Sequence, residues 1–108
     1  MKRYRVLMTA EAEDDLLDIY DYVYEHDSPG KAEALLQKLE AKCASLNSMP
    51  ERGRVAPELA RIGVLAFREI FYKPYRIIYH VRKAEVYIHG VWDGRRDLQE
   101  LLQRRLLR

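Results

Sequence analysis

The side chains best suited to chemistry lie in one stretch, "YRIIYHVRKAEVYIHGVWDGRRDL", residues 75–98, which holds Arg76, His80, Arg82, His89, Arg95 and Arg96. Histidine is the side chain whose charge changes near neutral pH, and a guanidinium grips a phosphate or a carboxylate with two parallel hydrogen bonds. Together they could serve phosphodiester cleavage by a 2′-hydroxyl. That reaction needs a base near the nucleophile, an acid near the leaving oxygen and cations for the charge that develops on phosphorus. His80 or His89 could supply the proton transfers, and Arg76 with Arg95 or Arg96 the positive charge. The same residues have a plainer reading. Exposed sheet faces are normally polar, and two strand histidines become a catalytic pair only when their geometry says so. The stretch is therefore either a centre for phosphodiester chemistry or a rigid platform for gripping another macromolecule.

Other chemistries find less support. Cys43, His26, His80 and His89 have no recognised metal-ligand spacing, and no glycine-rich loop is placed to cradle phosphate. No metal and no cofactor is expected.

These residues must be positioned by regular elements, which the pattern of the chain predicts. Residues 2–9, "KRYRVLMT", alternate as a short first strand. Thr9 is placed to cap a helix, in which Ala12, Leu16, Ile19, Tyr20 and Val23 recur at helical spacing. Glu11, Glu13, Asp14 and Asp15 crowd its first turn, where negative charge suits the helix dipole. "DSPGK" ends that helix and starts another, with Ser28 as cap and Pro29 at the first helical position. Ala32, Leu35, Leu36, Leu39, Cys43 and Leu46 form its apolar stripe as far as Asn47, and so short a link predicts an antiparallel helical hairpin. Residues 48–63 are turn-rich and basic and read as a connecting loop. Residues 64–72, 75–82 and 85–92 read as three strands joined by Lys73-Pro74 and Lys83-Ala84, hence antiparallel neighbours. "DLQELLQRRLL" closes the chain with Leu98, Leu101, Leu102 and Leu106 on one helical face. The order β-α-α-β-β-β-α predicts an α+β fold, with an N-terminal strand, a helical hairpin packed on a mainly antiparallel sheet and a C-terminal helix.

The turn at Lys83-Ala84 sets which residues meet. A two-residue turn pairs Arg82 with Glu85, His80 with Tyr87, Ile78 with His89 and Arg76 with Val91. One face then carries Tyr75, Ile77, Tyr79 and Val81 beside Val86, Ile88, Gly90 and Trp92, which is the core side. The other collects Arg76, His80, Arg82, Tyr87 and His89 in one patch.

Bulk properties limit both readings. At 108 residues the chain should be a single domain. A composition 48% hydrophobic and 33% charged argues against disorder. There is no apolar run of membrane-spanning length and no signal-peptide core at residues 1–20, so no membrane is expected. A lone cysteine cannot form an internal disulfide, which suits a reducing cytoplasm. The net charge is only +2, yet residues 1–50 carry −4 and residues 51–108 carry +6. The basic half suggests phosphate or an acidic protein segment as partner.

The order and spacing of several segments resemble the RelE/ParE superfamily of toxins from type II toxin–antitoxin systems, over essentially the whole chain. They are "TAEAEDDLLDIYDYV" in the first helix, "LNSMPERGR" after the second, Arg68 seven residues before Tyr75, "PYRIIYHV", and "GRRDL" after the last strand. The resemblance implies a helical hairpin on an antiparallel sheet. It also implies one of two activities, since RelE-like members cut mRNA in the ribosomal A site while ParE-like members poison DNA gyrase. By position, Arg76 matches a RelE catalytic arginine and Arg96 another. Phe67 and Glu69 stand where RelE has two lysines, Leu102 or a neighbour stands in place of a near-terminal tyrosine, and the terminal His-Tyr pair of YoeB-like members is missing. Replacing cations that would face phosphate by Phe and Glu removes charge stabilisation the cleavage needs, so the resemblance is closer to ParE. It implies a growth-inhibiting toxin of the plasmid-stabilisation kind, held in a toxin–antitoxin hetero-oligomer by an antitoxin with an acidic, amphipathic C-terminal segment. The partner-binding set is then Arg68, Arg76, Arg82, Arg95, Arg96, Trp92, Leu98 and Leu102. The ribosome-dependent nuclease alternative would use Arg76, Arg96, His80 and His89 on ribosome and mRNA.

Overall fold

A computed structural model describes residues 2–108. The chain runs β1 (Arg5–Met8), α1 (Ala10–His26), α2 (Pro29–Ala44), β2 (Arg54–Val55), α3 (Pro57–Ala60), β3 (Phe67–Tyr72), β4 (Tyr75–Arg82), β5 (Glu85–Asp93) and α4 (Gln99–Leu106). Short 3-10 turns at Ser45–Asn47 and Pro50–Arg52 follow α2. The five strands form one sheet in the order β1-β5-β4-β3-β2. Only β1 lies parallel to its neighbour, β5; the remaining pairs are antiparallel. This is the expected α+β architecture, and no helix among the described residues is long and apolar enough to cross a membrane.

Local signals account for the helical hairpin. The Thr9 hydroxyl accepts from the Ala12 N–H at 3.1 Å, and Ser28 does the same for Lys31 at 3.1 Å, with Pro29 in the first turn. Each cap satisfies an amide that the helix itself leaves without a partner. The apolar stripes of α1 and α2 then close over one sheet face. Ala12, Leu16, Leu39, Cys43 and Leu46 pack with Ile70, Ile77, Tyr79, Val86, Ile88 and Val91.

Two expectations need correction. Residues 48–63 are not a plain loop: they hold a 3-10 turn, the edge strand β2 and the helical turn α3. The opposite sheet face, expected to be polar and exposed, carries a second core. There Leu59 of α3 and Leu98 and Leu102 at α4 bury Ile78 and Trp92.

The register differs as well. Arg82–Glu85 and His80–Tyr87 pair as expected, but a bulge interrupts the ladder between Ile78 and Tyr79. Beyond it Ile78 faces Gly90, Ile77 faces Val91 and Arg76 faces Trp92. The extra residue on β5 turns Val91 into the hairpin core and sends Trp92 to the other side, the reverse of the expected arrangement. Gly90 is required there, because a Cβ on it would lie 2.0 Å from the Trp92 ring.

The groups that a bulge strands are satisfied from outside the sheet. The Val91 N–H donates to Asp15 of α1 at 3.2 Å, and the His89 carbonyl accepts from Arg105 of α4 at 2.9 Å. Asp15 and Arg105 are themselves ion-paired at 3.0 Å. One charged pair therefore ties both helices to the irregular strand. Burial pushes the Asp15 carboxyl above its ordinary range, opposed by its hydrogen bond from Arg105. Arg105 also lies over the Trp92 ring, 4.8 Å from its centroid.

Candidate functional site

The residues expected to form one catalytic patch are divided among three environments. The first surrounds Arg76. Its place on β4 opposite Trp92 sets it beneath α3, only 5% exposed. Its Nε donates to Glu69 Oε1 at 2.6 Å, and its Nη1 and Nη2 donate to Glu58 at 2.6 and 2.7 Å. Glu69, 1% exposed, also takes Arg54 at 2.5 Å. The result is a chain of alternating charges, Arg54–Glu69–Arg76–Glu58, across three sheet strands and α3. Arg76 holds Glu58 well below the usual carboxylate range, and the two carboxylates raise the arginine in return. The donors of Arg76 that could grip a phosphate are thus committed to carboxylates. Glu69, one of the departures from the RelE pattern, is a counter-ion to the arginine that matches RelE's.

The second environment holds the histidines. His80 Nδ1 and His89 Nε2 are 2.7 Å apart, so one ring donates to the other. Tyr87 stacks on His80 with ring centroids 5.1 Å apart, and Phe67 packs edge-on against both imidazoles. Burial lowers both histidines, and the neighbouring His80 and Arg105 help bring His89 down to about 4. At neutral pH both rings are uncharged. The bulge explains their meeting, because it brings His89 beside His80 instead of opposite Ile78. No group of three or more His, Cys, Asp or Glu among the described residues is arranged to hold a metal ion.

The third environment is an open cleft of about 580 Å³ between α1, β5 and α4. Tyr22, Tyr75 and Trp92 contribute aromatic wall, and Arg95, Arg96 and Arg105 stand against Asp15, Asp18 and Asp93 in the same lining. Arg95 is braced by Asp93 at 2.7 Å, a contact that also depresses the aspartate. Arg96 is exposed and carries no ion pair among the described residues. Of the expected partner-binding residues, Arg95, Arg96 and the edge of Trp92 come together here.

The others lie elsewhere. Arg82 is exposed at the far end of β4, and Arg68 donates to the Gly53 carbonyl at 2.7 Å. Leu98 and Leu102 have no exposed surface and are committed to the chain's own second core. Sequence reasoning missed Tyr22, Tyr75, Glu58 and Arg105 as site residues. Tyr22 lies off the buried face of α1 and is 64% exposed. Glu58 could have been found from Pro57, a helix-start signal inside the supposed loop.

Comparison with known proteins agrees with the fold. A family model described as the ParE toxin of type II toxin–antitoxin system, parDE, matches residues 6–98. A solved chain from the chromosomal ParDE TA system of P. aeruginosa superposes with a TM-score of 0.70, covering 82% of this chain and 94% of that one. At 22% sequence identity that likeness speaks to the fold. No curated protein matches the chain. The chain belongs to the ParE family of toxins from type II toxin–antitoxin systems.

Proposed function

We propose that this chain arrests growth by binding DNA gyrase and is not a nuclease, and that an antitoxin neutralises it through an acidic, amphipathic C-terminal segment. The observation that carries this reading is the commitment of Arg76. Cleavage needs an arginine available to the phosphorane charge, and this one is buried between Glu58 and Glu69. Introducing phosphate would set a third anion beside the two carboxylates already paired with this arginine. The histidines support the same reading, since they hydrogen-bond each other and, among the described residues, neither side chain hydrogen-bonds an arginine of the Arg76 network.

For the antitoxin, the cleft supplies what an acidic amphipathic segment needs. Arg96, which carries no ion pair among the described residues, would receive its carboxylates, with Arg95 free to join only by leaving Asp93. Tyr22, Tyr75 and the edge of Trp92 would receive its apolar side chains. A segment that folds as it binds loses ordering entropy at that moment, so a pre-formed cleft matters. Such a complex is a toxin–antitoxin hetero-oligomer in the cytoplasm.

The test is induction in cells. Gyrase-linked DNA breaks with ribosome-bound mRNA left intact are expected; mRNA cut in phase with codons, and no DNA breaks, would reverse the assignment.

A further inference from the structure

We propose a second, separate surface on this chain that binds the phosphate backbone of duplex DNA, formed at the end of the sheet where β1 begins and β4 turns into β5. The Arg5 N–H donates to the Ala84 carbonyl at 2.8 Å, which brings the N-terminal basic residues beside the Lys83-Ala84 turn. Lys2, Arg68 and Lys83 meet at one shallow depression there, Arg5 and Arg82 flank Glu85 across neighbouring strands, and Arg3 precedes β1. Only two carboxylates stand among them. Glu85 is taken by Arg5 at 3.6 Å and by Tyr87, and Glu51 lies in the depression. Lys2, Arg3, Arg82 and Lys83 are exposed and have no ion pair among the described residues.

The chemistry of the patch selects its partner. An amphipathic protein segment needs apolar pockets beside the charges, as the cleft at the other end of the sheet provides. Here the lining offers little besides Tyr4, Val81 and Leu65, and the charges spread over three neighbouring strand ends spaced roughly 5 Å apart. Dispersed cations with few apolar neighbours match a repeating polyanion, whose affinity comes from released counterions. The acidic helix α1, with eight carboxylates from Glu11 to Asp27 and no Lys or Arg, would repel the same polymer and fix the side from which it approaches. The inference goes beyond the gyrase reading and is tested without gyrase.

Binding of the purified full chain to a fluorescent 30-base-pair duplex is measured by anisotropy from 50 to 200 mM salt. Four phosphate contacts predict a slope of about −3.6 in log K against log salt, a loss on the order of a hundredfold across that range. The combined substitution Lys2→Gln, Arg3→Gln, Arg82→Gln and Lys83→Gln should abolish binding with the circular dichroism unchanged. Arg95→Gln with Arg96→Gln, at the opposite end, should leave it intact. Loss of binding in the second variant but not the first would overturn the proposal. So would equal or tighter binding of polyglutamate or of single-stranded RNA at matched charge, or no binding at 50 mM salt.

Discussion

Replacing Arg76 by methionine separates a structural arginine from a working one. In the folded chain its guanidinium joins Glu69, which is fully buried, to Glu58, which is largely so. Removing the arginine leaves Glu69 with only the exposed Arg54 and leaves Glu58 without its bidentate partner. Breaking a buried pair in this way costs about 3–5 kcal/mol, a large part of the ~5–15 kcal/mol that holds a domain of this size together. A fall in Tm of more than about 10 °C is expected, read by circular dichroism and by urea titration. Because an apolar replacement of the whole cluster removes the uncompensated charges, Arg76→Met with Glu69→Leu and Glu58→Leu should regain much of the loss. The pH dependence checks the same contact. Arg76 depresses Glu58 in the folded state, so the unfolded chain binds the extra proton first. The stabilisation is full above the carboxylate's ordinary value and disappears as pH falls through the depressed one. The wild type should therefore lose stability on acidification more steeply than Arg76→Met. A variant with unchanged stability but no toxicity would refute the structural assignment and restore Arg76 as a phosphate-binding residue.

Other consequences are simpler to check. His80→Gln with His89→Gln should leave toxicity nearly intact, whereas loss of a required acid or base would lower activity by ~10²–10⁴-fold. His89 is held down to about 4, so its neutral form favours folding fully above its ordinary value near 6.5. That contribution is lost as pH falls toward about 4, and the His89→Gln variant should show a flatter Tm profile between those values. Gly90→Ala should destabilise the domain by ~1–3 kcal/mol in urea titration, because the added methyl meets the Trp92 ring. Truncation after Asp97 should lower stability or solubility, since Leu98 and Leu102 are fully buried and each contributes ~1.5–3 kcal/mol. Cys43, buried and with its thiol pushed up to about 12, should resist a thiol reagent until the chain unfolds.

What was legible in the sequence follows from how local each signal is. The helical hairpin rests on Thr9, Ser28 and Pro29, residues that act within one turn of where they stand. β4 and β5 were legible because alternation and a two-residue turn lie within one hairpin. The register beyond Tyr79 was not, because a bulge depends on groups far away in sequence: Asp15 and Arg105 stabilise it from two helices. Gly90 inside a strand was the one local hint. The burial of Arg76 was hidden for a similar reason. Its partner Glu58 sits in a stretch read as loop, and only the folded chain brings α3 over β4. An arginine on a polar-looking strand face is indistinguishable, in sequence, from one that waits for a phosphate. The aromatic and charged cleft was partly visible in Trp92, Arg95 and Arg96, while its other wall comes from α1, some seventy residues earlier.

The central claim is most directly tested by adding the purified chain to DNA gyrase and relaxed plasmid, and in parallel to translating ribosomes with a defined mRNA. Inhibited supercoiling with accumulated cleaved plasmid, relieved by the antitoxin and accompanied by intact mRNA, is the predicted result. Unimpaired supercoiling together with codon-phased mRNA cuts that vanish in the His80→Gln and His89→Gln double variant would contradict it.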